Sequence, residues 1–182
     1  EDADFDEAAQ GVMMLMTQLN GQWCRALGRL IVHENIADKF VDHVFGLLAQ
    51  VKLGDSVSMA SDMGPMIHSG HLAKIKGQMQ EWLDKGGVAR SSTPLPGLSG
   101  NFFAPTLVLG CSPADTQHEI FGPIGAVHTY KTDAEAVALA NGTPYGLQGY
   151  VFGKDEARAM KVGRQIRCGE VKINGGTVML SD

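Results

Sequence analysis

The chain has 182 residues, of which 44% are hydrophobic and 19% are charged, and its formal net charge at pH 7 is −5. These values are typical of a globular domain with a substantial core and exclude an intrinsically disordered chain. The sequence has no basic cluster and no apolar run long enough to cross a bilayer, so we expect no nucleic-acid binding and no membrane insertion.

The cysteines and histidines indicate whether disulfides or a metal site are expected. Cys24, Cys111 and Cys168 are odd in number and widely spaced, which argues against a disulfide framework and for a reducing compartment. The acidic N-terminal residues lack the apolar region of a signal peptide, so we expect a cytoplasmic protein. The six histidines form no ligand spacing with cysteines or carboxylates, and we predict no metal site.

Helix and strand patterns alternate in the first half of the chain. Asp4 is the predicted cap of the first helix because Glu7 follows at capping-box spacing, and Asn35 is the predicted cap of the second. Gly86 and Gly87 are typical of a helix C-terminus. The predicted elements are a helix over residues 4–19, a strand over 29–33, a helix over 36–48, a loop over 51–65 and a helix over 69–85.

The second half continues the alternation. Pro105 interrupts an apolar run, which favours an edge strand or an irregular strand start. Thr132 and Glu135 form a second capping-box pattern. The predicted elements are strands over 88–92, 102–109, 126–130, 149–152 and 171–174, a loop over 93–100, and helices over 132–142 and 155–166.

Such alternation predicts an α/β fold: a mainly parallel sheet with helices on both faces, joined by right-handed crossovers. Ligands bind at the carboxyl ends of the strands in such sheets. The turns that follow Val32 and residues 171–174 are therefore predicted walls of a site.

Cys24 is the candidate nucleophile. The Asn20-Gly21 dipeptide predicts a sharp turn just before it, and a cysteine on a turn can expose its sulfur to a substrate. The thiolate is the reactive form, and Arg25 and Arg29 are candidate sources of nearby positive charge. The alternative is that Cys24 is a small buried hydrophobic residue without reactivity.

Two motifs connect the chain to a family. Residues 20–29, NGQWCRALGR, resemble the Gly-Gln-x-Cys-x-Ala-x-x-Arg signature of the NAD(P)-dependent aldehyde dehydrogenase superfamily, and residues 118–123, HEIFGP, resemble its Glu-Ile-Phe-Gly-Pro motif. The likeness is collinear with the catalytic domain over residues 1–182. It implies that Cys24 attacks an aldehyde, that hydride passes from the thiohemiacetal to NAD or NADP, and that water hydrolyses the resulting thioester.

The resemblance also implies roles for further residues. Glu119 corresponds to the glutamate that binds the nicotinamide ribose, Phe121 to the aromatic residue beside it, and Lys74 to a helix position near the far ribose. Alternatives remain open, with Phe121 as an ordinary core residue and Lys74 as a surface lysine. The implied substrate-pocket residues are Trp23, Arg25, Thr177 and Met179, and Arg25 either favours an anionic aldehyde or is simply solvated.

Departures from the family pattern limit the prediction. The general-base glutamate and the cofactor-binding domain with its glycine-rich turn are expected outside this chain, and Leu19 stands where relatives usually have asparagine. We therefore expect a catalytic-domain piece whose partners are an aldehyde and the cofactor-binding domain of the same protein, within a homo-oligomeric parent. The alternatives are a non-catalytic structural or assembly module of the same fold, and a Cys-His thiol hydrolase.

Overall fold

Helices and strands alternate along the chain, as predicted. The computed structural model describes residues 1–175. No helix in this part of the chain has the length and apolarity needed to cross a membrane. The elements are α1 (Phe5–Thr17), β1 (Arg29–His33), α2 (Ala37–Leu48), α3 (Ser69–Asp84), β2 (Val88–Arg90), β3 (Thr106–Leu109), β4 (Ile124–Tyr130), α4 (Asp133–Asn141), β5 (Gln148–Val151), α5 (Glu156–Gly163) and β6 (Glu170–Ile173).

The main sheet has four strands in the order β1-β4-β3-β2. β4 is parallel to both of its neighbours, and β2 is added antiparallel at the edge next to β3. A second sheet pairs β5 and β6 in parallel, with α5 packed on both strands. The predicted α/β fold with a mainly parallel sheet is confirmed.

Helices cover both faces of the main sheet. Successive side chains of a strand point to opposite faces, and on β3 the side chain of Leu107 joins the core under α1 and α2 while Val108 joins the core under α3. On β4, Val127 and Ala126 divide in the same way. Both faces of the sheet are therefore buried against helices, which is consistent with the apolar composition of these strands.

Two of the three predicted helix N-caps are present. The Asp4 carboxylate accepts hydrogen bonds from the backbone N–H groups of residues 6 and 7, and the Thr132 hydroxyl accepts one from the Glu135 N–H. The prediction for Asn35 is wrong: Ile36 is the N-cap of α2, without a side-chain hydrogen bond. The Asn35 backbone N–H donates instead to His33 Nδ1 at 3.2 Å, which places Asn35 in the turn that leaves β1.

Several predicted boundaries differ from the structure by a few residues, and two of these differences have a clear backbone cause. The first helix ends at Thr17, because Leu19 and Asn20 have left-handed φ angles of 49° and 59° that an α-helix cannot contain. β3 begins only at Thr106, after Pro105, so the strand start is irregular as expected. β3 is not an edge strand, however, because β4 and β2 flank it.

His128 lies in β4 and has a strongly shifted pKa. It is buried, and its Nε2 lies 2.9 Å from the Thr116 hydroxyl. Burial, together with the nearby Arg29 charge, lowers the pKa of His128 from 6.5 to about 4. The folded protein therefore holds this imidazole neutral where the unfolded chain protonates it.

We expect the His128 environment to make stability fall in mild acid. The unfolded state binds more protons between pH 6.5 and about 4, so stability is highest above pH 6.5 and declines as the pH falls through this window. The loss attributable to His128 is up to about 3 kcal/mol at the acid end of the window. Urea midpoints against pH measure it. His128→Gln should flatten the decline and the exposed control His118→Gln should not; equal pH dependence in wild type and His128→Gln would contradict the prediction.

Candidate active site

The two motif segments meet at the end of the main sheet where β1 and β4 begin. Residues 20–28 lead into β1 and residues 118–123 lead into β4, and these strands are adjacent and parallel. Gly21 packs so closely on the second segment that a Cβ atom on it would lie 2.5 Å from Gly122 C and Pro123 N. The general rule for parallel sheets predicted the turns after Val32 and after residues 171–174, at the carboxyl ends of strands, as walls of a site. Both motif segments instead precede their strands and lie at the amino ends of β1 and β4.

Cys24 is presented on a tight turn. Leu19, Asn20 and Gly21 have φ angles of 49°, 59° and 69°, which reverse the chain after α1. The Ala26 N–H then donates to the Trp23 carbonyl at 3.1 Å and closes a turn around the cysteine. Cys24 is exposed, so the alternative of a buried hydrophobic residue is wrong.

Asn20 and Gln22 anchor this turn to the loop before α3. The Asn20 side-chain amide donates to the Pro65 carbonyl at 3.2 Å, and its oxygen accepts from the Gly64 N–H at 2.9 Å. Gln22 Oε1 accepts from the Ile67 N–H at 3.0 Å. Sequence analysis missed both functions, since these partners are remote in the chain and carry no local signal.

Trp23 and Arg25 flank the cysteine, as predicted, and both side chains are held. The Trp23 indole N–H donates to the Leu15 carbonyl at 3.4 Å. Arg25 Nη1 lies 3.8 Å from the Glu170 carboxylate. The backbone carbonyl of Arg25 accepts a hydrogen bond from the Tyr150 hydroxyl at 3.4 Å.

Tyr150 of β5 was missed as a site residue. Burial raises the pKa of its hydroxyl; the Arg25 charge opposes this, and the Glu170 and Cys24 charges reinforce it, which places the ring among these three groups. Because β5 lies 125 residues beyond Arg25, no sequence pattern links the two. The contact depends on the packing of the second sheet against the cysteine turn.

Arg29 serves the scaffold. Its guanidinium donates to the Leu139 carbonyl at 2.6 Å and to the Pro113 carbonyl at 3.2 Å. A cation at the last turn of α4 interacts favourably with the helix dipole. Burial lowers the pKa of Arg29, which stays protonated because an arginine pKa lies far above neutrality. Arg29 therefore binds the C-terminal part of α4, whereas sequence analysis had considered it as a source of positive charge near Cys24.

The loop that contains Glu119 and Phe121 is held by α3. His71 Nε2 lies 2.8 Å from the Phe121 carbonyl, and Gln78 Nε2 donates to the Glu119 carbonyl at 3.4 Å. Phe121 has a φ angle of 62° and its side chain is 36% exposed, so the alternative of an ordinary core residue is wrong. Glu119 is also exposed.

A cleft of about 360 Å³ joins the two motifs. This volume lies in the range of small-molecule sites. Lys74 is exposed on the face of α3 that holds the loop, but lies outside the lining of this cleft. Thr177 and Met179 lie outside the described residues. The lining brings together Trp23, Cys24, Arg25, Glu119, Phe121 and Tyr150.

The other two cysteines have different environments. Cys111 is buried, and burial raises the pKa of its thiol. Cys168 is half-buried on the cleft wall, and its thiol donates to the Glu170 carbonyl at 3.0 Å. Within residues 1–175, no three His, Cys, Asp or Glu side chains are grouped as a metal site. Cys24 therefore differs from the other two thiols in being exposed at the cleft.

Asn174 closes β6 and stabilises the second sheet. Its backbone has a φ angle of 48°. Its side chain accepts a hydrogen bond from the Gly153 N–H and donates one to the Gly153 carbonyl, both at 2.9 Å. The Asn174 side chain therefore holds the segment that follows β5.

Comparisons with known proteins agree with the two motifs. A sequence profile described as "Aldehyde dehydrogenase family" matches residues 1–182. The chain is 34% identical over 181 residues to succinate-semialdehyde dehydrogenase [NADP(+)] 1 of Schizosaccharomyces pombe, covering 98% of this chain and 36% of that protein. It is 32% identical over 180 residues to glutarate-semialdehyde dehydrogenase of Pseudomonas aeruginosa, covering 98% of this chain and 37% of that protein.

A solved structure shows the same fold. The crystal structure of betaine aldehyde dehydrogenase from Staphylococcus aureus in complex with NAD+ superposes with a TM-score of 0.90 at 33% identity, covering 96% of this chain and 36% of that one. The chain therefore spans little more than a third of the length of each of these relatives.

Proposed function

The chain belongs to the aldehyde dehydrogenase family, and from this membership we propose that it is the cysteine-bearing catalytic domain of an enzyme that oxidises an aldehyde to a carboxylic acid with NAD or NADP. In this proposal residues 1–182 act together with a cofactor-binding domain of the same protein, in a cytoplasmic homo-oligomer. The alternative of a non-catalytic module leaves unexplained why the family cysteine is exposed at a cleft.

One observation carries the proposal: Cys24 stands exposed on a turn whose Gly21 is packed on the segment that carries Glu119 and Phe121. A nucleophile and a candidate cofactor-binding loop thus share one cleft. The hydrogen bonds of Asn20 and Gln22 hold the turn. Such preorganisation keeps a nucleophile close to its attack geometry.

The proposed chemistry begins at Cys24 Sγ. The thiolate attacks the aldehyde carbon and forms a C–S bond, and the carbonyl oxygen becomes the oxyanion of a thiohemiacetal, near the Cys24 backbone N–H. When the carbonyl re-forms, hydride leaves that carbon and a thioester remains on Cys24. Water then adds to the thioester, a base takes its proton, and the C–S bond breaks to release the acid and the thiolate. NAD or NADP, when bound, accepts the hydride.

Glu119 and Phe121 suit a part of the cofactor site. Among the described residues, no hydrogen bond or ion pair engages the exposed Glu119 carboxylate, and an ionised carboxylate accepts hydrogen bonds from ribose hydroxyls. The exposed Phe121 ring offers an apolar surface beside it. Both backbones are fixed by α3 rather than free to move away. We assign these two residues to the nicotinamide ribose and leave Lys74 as a more distant candidate.

Arg25 suggests the substrate class. Succinate- and glutarate-semialdehyde, named in two relatives, carry a carboxylate, whereas betaine aldehyde carries a quaternary ammonium group. The Arg25 guanidinium is half-exposed on the cleft wall, and its 3.8 Å separation from Glu170 makes a loose ion pair that a substrate carboxylate can replace. We propose an aldehyde with a terminal carboxylate.

The test uses the protein expressed from its complete coding sequence. With NAD or NADP it should oxidise succinic semialdehyde with a kcat/KM well above that for betaine aldehyde. Arg25→Met should raise the KM for succinic semialdehyde by about tenfold, the loss of one charge-assisted contact, and leave the KM for betaine aldehyde unchanged or lower. Failure to oxidise any aldehyde with either cofactor would refute the function; equal effects of Arg25→Met on both substrates would refute the substrate class.

A further inference from the structure

The loop that faces the cysteine turn has a backbone conformation that needs support. Phe121 has a φ angle of 62°, which a bulky side chain disfavours. Such a conformation persists only where surrounding contacts over-determine it. The direction in which Glu119 and Phe121 point therefore depends on what holds the backbone between them.

His71 supplies the closest of these contacts. Its Nε2 lies 2.8 Å from the Phe121 carbonyl, so the imidazole is the donor in this hydrogen bond. His71 lies in the first turn of α3, where its backbone N–H donates to His68 Nδ1 at 3.1 Å. Its ring packs edge to face on the His68 ring and is hydrogen-bonded to the Phe121 carbonyl.

The same face of α3 makes two further contacts with the loop. Ile75 lies against Gly122 so closely that a Cβ there would be 2.6 Å from Ile75 Cδ1. Gln78 donates to the Glu119 carbonyl at 3.4 Å. These residues follow His71 at intervals of four and seven, one and two helical turns further on. Three contacts along one face of α3 therefore hold residues 119–122.

We propose that His71 is a positioning residue for cofactor binding: by holding the Phe121 carbonyl it fixes the left-handed backbone at Phe121 and directs Glu119 and Phe121 toward the nicotinamide ribose. The inference rests on the proposed function of this loop. It assigns His71 no contact with substrate or cofactor, and His71 acts through the order of the loop. Removal of the donor leaves the Phe121 carbonyl unpaired and frees the strained backbone to relax.

The experiment compares four variants of the protein expressed from its complete coding sequence. His71→Leu removes the donor at similar size. His71→Gln restores an N–H at similar reach, and Gln78→Leu removes the second contact. Gln80→Leu is the matched control, because Gln80 is exposed on α3 and, within residues 1–175, its side-chain amide donates only to Asp84. The measurements are Kd values for NADH and NADPH, hydrogen exchange of residues 119–122 without cofactor, and the rate of Cys24 alkylation by iodoacetamide.

We expect His71→Leu to weaken cofactor binding about five- to tenfold, the size of one net hydrogen bond. Exchange of residues 119–122 should accelerate, while the alkylation rate and the melting temperature stay near those of the wild type. Gln78→Leu should act in the same direction, and His71→Gln and Gln80→Leu should resemble the wild type.

Several results would overturn the inference. Unchanged loop exchange in His71→Leu would exclude positioning, and so would a His71→Gln variant as weak as His71→Leu. A parallel loss of melting temperature and alkylation rate would show general destabilisation instead. A wild-type protein that binds neither NADH nor NADPH would refute the proposed function as well, which separates that failure from a failure of His71 alone.

Discussion

Cys24→Ser should reduce kcat/KM for aldehyde oxidation by about 10⁴-fold or more. Loss of a covalent nucleophile has an effect of this size in other enzymes. The thiol ionises far more readily than an alcohol, and the thiolate both attacks a carbonyl and leaves from the tetrahedral intermediate. The measurement is kcat/KM for NADH or NADPH formation by the protein from its complete coding sequence. Cofactor Kd values should be unchanged, because serine preserves the shape of the turn.

Cys168→Ser is the matched control. Cys168 lies on the wall of the same cleft, but its thiol is engaged with the Glu170 carbonyl and it is only half exposed. This variant should retain activity close to that of the wild type. Brief treatment with iodoacetamide should label Cys24 before Cys168 and the buried Cys111. A serine variant at position 24 within tenfold of the wild type, or first labelling at Cys168, would contradict the assignment of the nucleophile.

Gly21→Ala should destabilise the domain by about 3 kcal/mol and impair Cys24 together with the fold. Its φ angle of 69° is costly for alanine by about 1–2 kcal/mol. The added Cβ would also lie 2.5 Å from the backbone of Gly122 and Pro123, which cannot move without shifting the loop before β4. The expected loss in melting temperature is on the order of 10 °C.

Displacement of the turn should also slow catalysis. A shift of about 1 Å in a reacting group costs on the order of 10²-fold in rate, so we expect kcat and the Cys24 alkylation rate to fall together. Gly46→Ala is the control: Gly46 lies within α2, where an added Cβ would meet open space, and alanine there should stabilise by about 0.5–1 kcal/mol. Wild-type stability and alkylation in Gly21→Ala would show that the two motifs do not depend on this contact.

Much of the fold follows from local patterns that act within a few residues. Asp4 and Thr132 cap their helices because a short polar side chain reaches N–H groups only two or three residues away. The alternation of helix-type and strand-type hydrophobic patterns along the chain is likewise enough to predict the parallel sheet. Asn35 failed as a cap because α2 begins one residue later, with Ile36 as its N-cap, and Asn35 lies instead in the turn that leaves β1.

The motifs identified the candidate nucleophile Cys24 and the loop that faces it, but not the place where the two segments meet. General knowledge of parallel sheets favours the carboxyl ends of strands. The structure instead joins residues 20–28 and 118–123 at the amino ends, because β1 pairs with β4 rather than with β2 or β3. Strand order is a non-local property, and no periodicity within either segment encodes it.

The sequence by itself therefore determined the α/β class, most helix and strand positions, the family, and the candidates Cys24, Glu119 and Phe121. Tertiary structure alone decided that Cys24 is exposed, that Arg29 serves α4, and that Tyr150 and His71 contact the site. The physical reason is range: caps, turns and periodicity act within a few residues, whereas exposure and side-chain partners depend on segments that pack together from distant parts of the chain.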